Sequence, residues 1–325
     1  MKVAFIGSRG HLGYVFNELP VLPELEVCAL CSAGDAPERL TVNLEKIGYT
    51  APLFEDYREL IDTAKPDIAV VSGPWHLHAE MSEYALSRGV DVFCEKPVAF
   101  TLEEVDALEK AVKTGHSKFG GMMGMRFEPH FYTALKMIND NLIGKIELIS
   151  TRKSYVYGTR PEFYNQRATY GGTIPWVGSH AIDLIQHCNV GDFKSVNAWH
   201  RHKDNDPELP EITAHCVFTM ENGAIASADI DYLRPATAGS HGDDRLRAVG
   251  ASGIIEVAKG KVEIIDADGT REITPQMPPF GVFGDFVRAK HNVADKLTAE
   301  NLKLTRACIL ARDAADSNKE MFFNQ

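Results

Sequence analysis

No run of apolar residues in this sequence is long enough to cross a bilayer as a helix. Positive charge is also in short supply. Lysine and arginine total 34 against 45 aspartates and glutamates, for a net charge of −11. That balance argues against nucleic acid or an anionic membrane as the main partner, while leaving room for a local basic pocket. The N-terminus, "MKVAFIGSRG", enters a strand-like segment with no signal-type apolar region and no cleavage site, so a cytoplasmic protein is expected. Only six cysteines occur, most of them inside apolar segments where buried free thiols are common, which fits a reduced compartment. Cys28 and Cys31 form a C-x-x-C, but no second pair accompanies them and no zinc site is assigned. Internal repeats, low-complexity tracts and long linkers are missing too.

What is present exceeds one hydrophobic core. A chain of 325 residues defaults to two domains. Residues 1–122 alternate strand and helix patterns, the signature of an α/β domain. "KVAFIG", "LEVCALC", "PDIAVVSG", "VDVFCE" and "KFGGMMG" read as strands, with helical patterns between them. One helix is signalled by Leu102, Val105, Leu108 and Val112, with Thr101 as N-cap and Glu104 three residues later. Residues 123–325 begin with a helix pattern and become strand-rich, with turn signals at Asn222-Gly223 and Asp268-Gly269. They read as an α+β domain on a large, mostly antiparallel sheet.

Two stretches carry chemistry. In "VAFIGSRGHLG", Gly7, Gly10 and Gly13 stand between a strand and a helix pattern. The spacing is one residue longer than the usual dinucleotide fingerprint, but its logic holds. Gly7 permits a tight turn, Gly10 lets backbone approach a pyrophosphate, and Gly13 allows close helix–strand packing. Ser8, His11 and Leu12 complete the loop, whose helix would offer N–H groups to phosphate. The second strand closes on Cys31-Ser32, and Asp35 comes slightly late for the acid that holds the adenosine ribose. Arg9 could pair with a 2′-phosphate and Ser32 bond to it, which favours NADP over NAD. The other stretch is "VDVFCEKPVAF", where a buried-looking strand ends in Glu95-Lys96-Pro97. A lysine avoids such a place unless it has a partner or a task.

Three segments together resemble the Gfo/Idh/MocA family of oxidoreductases: "PDIAVVSGPWHLHAEM", "VDVFCEKPVAFTLEEVDAL" and "YGGTIPWVGSHAIDLIQH". "GMRFEP" and "HGDDRLRAVGASGIIEV" resemble members as well. The resemblance implies a Rossmann dinucleotide-binding domain, then an α+β domain with a large open sheet, and the nicotinamide between them. It implies NAD(P)-dependent oxidoreduction of sugars, cyclitols or keto-sugars, and homodimers or homotetramers built through the open sheet. It casts Lys96 as the proton donor or acceptor, and suggests a cis Lys96–Pro97 bond. A lysine desolvated beside the nicotinamide should have a lowered pKa. Gly73, Pro74, Trp75, His78, Glu95 and Arg126 fall near the cofactor in this scheme. Arg126, Tyr157, Trp176, His180, Asp183 and His241 fall near the substrate.

One departure stands out. In alcohol-oxidising members the third segment reads Gly-Gly, then Asp, then His four residues later. Gly171-Gly172, His180 and Asp183 match, but Trp176 occupies the aspartate position. Trp176 carries no charge and takes no proton; it offers a flat apolar face and one N–H. Proton transfer would then rest on Lys96 with His180 assisting. Two other readings stay open at this level: a cofactor-binding sensor without catalysis, and an NAD-retaining lyase or glycosidase-type enzyme. His180, Asp183 and His187 share a helical face, with His200, His202 or His241 as further ligand candidates. The family pattern explains His180 and Asp183 without metal, and none is assigned.

Overall fold

The computed structural model describes residues 1–323. The chain divides into two compact units. One takes Met1–Met122 and Phe280–Thr305; the other takes Met123–Pro279 and the chain from Arg306 onward. Residues 280–305, which the sequence places with the second domain, therefore pack with the first.

The first unit holds a six-stranded parallel sheet: β1 (Lys2–Ile6), β2 (Glu26–Cys31), β3 (Leu53–Phe54), β4 (Ile68–Val71), β5 (Asp91–Cys94) and β6 (Phe119–Gly121). Their order is β3-β2-β1-β4-β5-β6. Residues 3–6, 68–71 and 92–94 are buried throughout. That is why these strands read as continuous apolar runs without alternation. The order reverses between β1 and β4, and ligands of such sheets bind beyond the strand C-termini at that switch point. The helix Leu102–Gly115 opens with the Thr101–Glu104 capping box expected from sequence.

The helix expected after the glycine loop is shorter than its pattern suggests. It runs only from Gly13 to Phe16, and a separate 3-10 turn, Leu19–Val21, follows with Pro20 inside it. Proline has no N–H to continue an α-helical ladder.

Residues 280–305 complete this unit. The Glu18 carboxylate accepts hydrogen bonds from the backbone N–H groups of Gly281, Phe283 and Gly284 at 2.8–3.1 Å, capping the helix Val282–Arg288. Phe283 and Phe286 each pack 5.2 Å, centroid to centroid, from Phe93 on β5. Thr298 and Asn301, on the helix Asn292–Ser317, accept hydrogen bonds from Phe119 and Gly121 of the edge strand β6.

The second unit is built on nine strands: β7 (Ile146–Ser154), β8 (Phe193–His202), β9 (Glu211–Met220), β10 (Ile225–Asp231), β11 (Arg245–Gly250), β12 (Gly253–Ala258), β13 (Lys261–Asp266), β14 (Gly269–Ile273) and β15 (Met321–Phe322). The order is β14-β13-β12-β11-β7-β10-β9-β8-β15, antiparallel except for the β7–β10 pair. Alternation sorts the faces. Ile149, Phe218, Ala226, Ala228 and Ala248 are buried, whereas Leu148, Trp199 and Ile225 are exposed. The helix Ser179–Gln186 packs on β7 and β10. Strands β3, β14 and β15 escape the sequence patterns because they are two residues long or largely exposed.

The Glu18 cap gives a stability test. Glu18→Ala leaves three helix-terminal N–H groups without their acceptor and should destabilise the chain by about 1–3 kcal/mol. Urea denaturation followed by circular dichroism should show the midpoint shift.

Candidate functional site

The C-terminal ends of β1 and β4 meet at the glycine loop. Gly7 has φ +90°, and a Cβ there would stand 2.2 Å from Gly73 Cα. The loop is tied down by Gly7 N to Cys31 O at 2.8 Å and Arg9 N to Ser72 O at 2.8 Å. Gly10 has φ +69°, and a Cβ there would meet the Glu95 carboxyl carbon at 2.4 Å. Gly10 is therefore required by a neighbouring side chain, whatever it offers to a phosphate. Gly13 departs from expectation: a Cβ there would meet nothing within 4 Å, so close packing does not demand glycine.

Glu95 reaches this loop from the end of β5. Its carboxylate is fully buried, accepts the His11 N–H at 2.6 Å and lies 3.0 Å from His11 Nδ1. Burial alone would raise its pKa. The charges of His11 and Lys96, with the His11 hydrogen bonds, prevail and hold the carboxyl below its ordinary range. Lys96 is itself buried, at 2% exposure.

The Lys96–Pro97 bond is cis, as the family resemblance suggests. His78 braces the turn from below. It is buried, with Nδ1 2.9 Å from the Pro97 carbonyl and Nε2 3.1 Å from the Gly73 carbonyl. Burial pushes its pKa below the ordinary histidine value. At neutral pH the ring thus carries one proton and donates to one of the two carbonyls. Trp75 is buried beside this segment in a 3-10 turn after Pro74.

Two polar atoms of the first unit suit a dinucleotide. Ser8 Oγ is buried without a hydrogen-bond partner among the described residues, as is Asp35 Oδ2. The other Asp35 oxygen accepts from Arg9, with Oδ1 2.8 Å from Nε and 2.7 Å from Nη2. Left-handed Ala33 and Gly34 turn the chain after β2 so that Asp35 reaches the loop. Arg9 is thus engaged with Asp35. Ser32 takes part in that turn, its carbonyl accepting from Asp35 N–H. Leu12 is buried and contributes packing.

In the second unit, His180 is buried on the helix Ser179–Gln186. A π-helical turn, Ile174–Gly178, precedes it and holds the buried Trp176. Such turns often mark functional sites, and a one-turn change of winding has no periodic signal to read. Asp183 is buried and accepts two hydrogen bonds from Arg126 Nη1, both 2.9 Å; His187 Nε2 lies 3.4 Å away. Burial would raise the Asp183 pKa, but Arg126 and His187 hold it low. Asp183 is therefore the partner of Arg126 and His187, an ion pair the helical-face pattern did not disclose.

Tyr157 and Tyr155 stand edge-on to Tyr232, with centroids 5.5 and 5.0 Å away, and His241 stacks on Tyr155 at 5.5 Å. Asp243 accepts hydrogen bonds from Arg245 Nε and Nη2, each at 2.9 Å, and Asp244 pairs with Lys153. His200, His202 and Glu211 bring ligand-type atoms within 4.8 Å of one another. Glu211 already pairs with Arg167, so the cluster is organised as an ion pair beside two imidazoles.

Residues 1–120 match the family model "Oxidoreductase family, NAD-binding Rossmann fold", and residues 131–256 match "GFO/IDH/MocA C-terminal domain". The chain belongs to the Gfo/Idh/MocA family. Members of that family are NAD-binding oxidoreductases, and this one carries both family domains. An oxidoreductase structure from Thermotoga maritima is 35% identical, with a TM-score of 0.91 over 99% of this chain and 100% of that one. An inositol 2-dehydrogenase/D-chiro-inositol 3-dehydrogenase of Lactiplantibacillus plantarum is 24% identical over 78% of this chain and 69% of its own length. A levoglucosan dehydrogenase of Pseudarthrobacter phenanthrenivorans is 31% identical over 60% of this chain and 51% of its own.

The buried titratable groups set an acid response. Glu95 and Asp183 have folded pKa values below their unfolded ones, so they stabilise the fold above about pH 4 and lose that effect as pH falls through this range. The folded pKa of His78 is also depressed. Below about pH 6.5 the unfolded chain gains a proton that the folded ring resists, and stability declines. Melting temperature should fall in two stages on acidification from pH 7.5, and His78→Gln should remove the upper stage only. A flat profile between pH 7 and 5 would count against the His78 stage.

Proposed function

We propose that this chain is an NAD-dependent dehydrogenase or reductase of a sugar-, cyclitol- or keto-sugar-like substrate, with Lys96 as main proton donor or acceptor and His180 assisting. The observation that carries this reading is Lys96 itself. It is a buried lysine at the C-terminal end of a parallel strand, beside the carboxylate that fixes the glycine loop. A solvated surface lysine would show neither feature. The dehydrogenases of inositol and levoglucosan among its relatives support the substrate class.

NAD, when bound, takes up or returns the hydride. The chain supplies the remainder. The loop of Gly7, Ser8, Gly10 and His11 would hold the pyrophosphate, with Ser8 Oγ as a donor to it. Asp35 Oδ2 would accept a hydroxyl proton of the adenosine ribose, which favours NAD over NADP. In oxidation Lys96 Nζ takes the substrate hydroxyl proton, and in reduction it gives one back. The exposed sheet face bearing Leu148, Trp199 and Ile225 is proposed to pair with a second copy; a monomer by light scattering would exclude that.

Lys96→Met should lower kcat by roughly a hundredfold or more while NAD affinity changes less than about threefold. Steady-state turnover and calorimetric titration measure the two, and near-normal turnover would remove Lys96 from its role. Asp35→Ala should raise the KM for NAD about tenfold and narrow the gap to NADP. An unchanged NAD-to-NADP ratio would dismiss Asp35.

A further inference from the structure

Arg160 follows β7 in a setting unlike that of any other charge discussed above. Its guanidinium carbon lies 5.1–5.5 Å from the ring centroids of Tyr155, Tyr157, Tyr164 and Tyr232. Nε is buried without a hydrogen-bond partner, and no carboxylate pairs with the group among the described residues. The Tyr155 hydroxyl accepts one hydrogen bond from the group and four aromatic rings offset part of its desolvation, yet none of them supplies the negative charge that a partly buried cation favours.

The cage reaches the candidate substrate residues within the same unit. Tyr157 is one wall, and His241 stacks on Tyr155, another. Tyr164 meets the Trp176 ring edge-on at 6.1 Å. The Tyr170 hydroxyl, 2.6 Å from that of Tyr232, fixes the far wall. His180 follows Trp176 by four residues, about one turn further along. Relative to the family pattern, a carboxylate is missing at 176, and a guanidinium without a carboxylate partner shares the Tyr164 ring with the tryptophan that replaces it. The local charge has changed from negative toward positive.

We infer that Arg160 binds a carboxylate of the substrate, so that this enzyme acts on an acidic carbohydrate such as a uronic or aldonic acid. A guanidinium presents planar pairs of N–H donors, which match the two oxygens of a carboxylate, while aromatic walls suit the sugar ring. An aspartate at 176 would repel such a substrate; Trp176 does not. The inference rests on the carbohydrate reading proposed above.

The test uses matched pairs of substrates, a neutral sugar or polyol and its acid, with the full-length protein and Arg160→Met. The acid should show the lower KM in the wild type. In Arg160→Met, the KM of the acid should rise roughly tenfold to a hundredfold, with kcat and the neutral partner's KM nearly unchanged. Equal effects on both members, or a wild type indifferent to the charge, would overturn the assignment. Calorimetric binding of the same pairs separates this inference from the hydride reading. Binding of acids that Arg160→Met abolishes, without turnover, would uphold Arg160 and sink the dehydrogenase. Turnover or binding of neutral sugars alone would sink Arg160 and leave the dehydrogenase standing. If no carbohydrate binds, both fall.

Discussion

The buried carboxylate of Glu95 joins two segments that lie 84 residues apart in sequence. On one side it accepts hydrogen bonds from His11 and fills the space that a side chain at residue 10 would need. On the other it precedes Lys96, whose charge helps keep it ionised. A buried charge survives only with partners, and here the partners belong to the loop and to the strand end. The glycine motif and the Glu-Lys-Pro motif are thus two halves of one device. Shifting either would leave an ion in the core without compensation. His78 packs under the same turn between the Pro97 and Gly73 carbonyls and donates to one of them.

The second unit solves a different electrostatic problem. Its helix carries a buried aspartate, yet that charge is committed to Arg126 and His187. It therefore contributes local order, while the surface next to Trp176 is aromatic and cationic. The extra residue of the π-helical turn matters here, because it rotates the segment before His180 relative to a regular helix. Close packing supports the turn: a Cβ on Gly178 would stand 2.5 Å from Ile230 Cδ1.

Much of this was legible from residues alone, for identifiable reasons. Parallel strands buried on both faces read as apolar runs, the large sheet reads as alternation, and Thr101 with Glu104 announces a helix start. Glu95-Lys96-Pro97 could be located because an abrupt polar triplet after such a run has few structural explanations. What escaped depends on contacts distant in sequence. Nothing local tells that Glu18 caps a helix more than 260 residues later, or that Asp35 turns back onto Arg9. Arg160 sits among turn and aromatic residues without a motif; only the convergence of four tyrosines from three segments marks it. Gly13 shows the opposite error, a glycine that fits a pattern but that packing does not require.

The edge strand β6 draws on side chains from the far end of the chain. Thr298 and Asn301 occupy donors that a growing polypeptide would expose after residue 121 emerges from the ribosome. Until residues 298–301 have followed, about 180 positions later, the first sheet stays open along that side and ready to pair with any strand nearby. The sheet is therefore translated well before the segment that closes it, and a nascent chain carries that open edge over the interval.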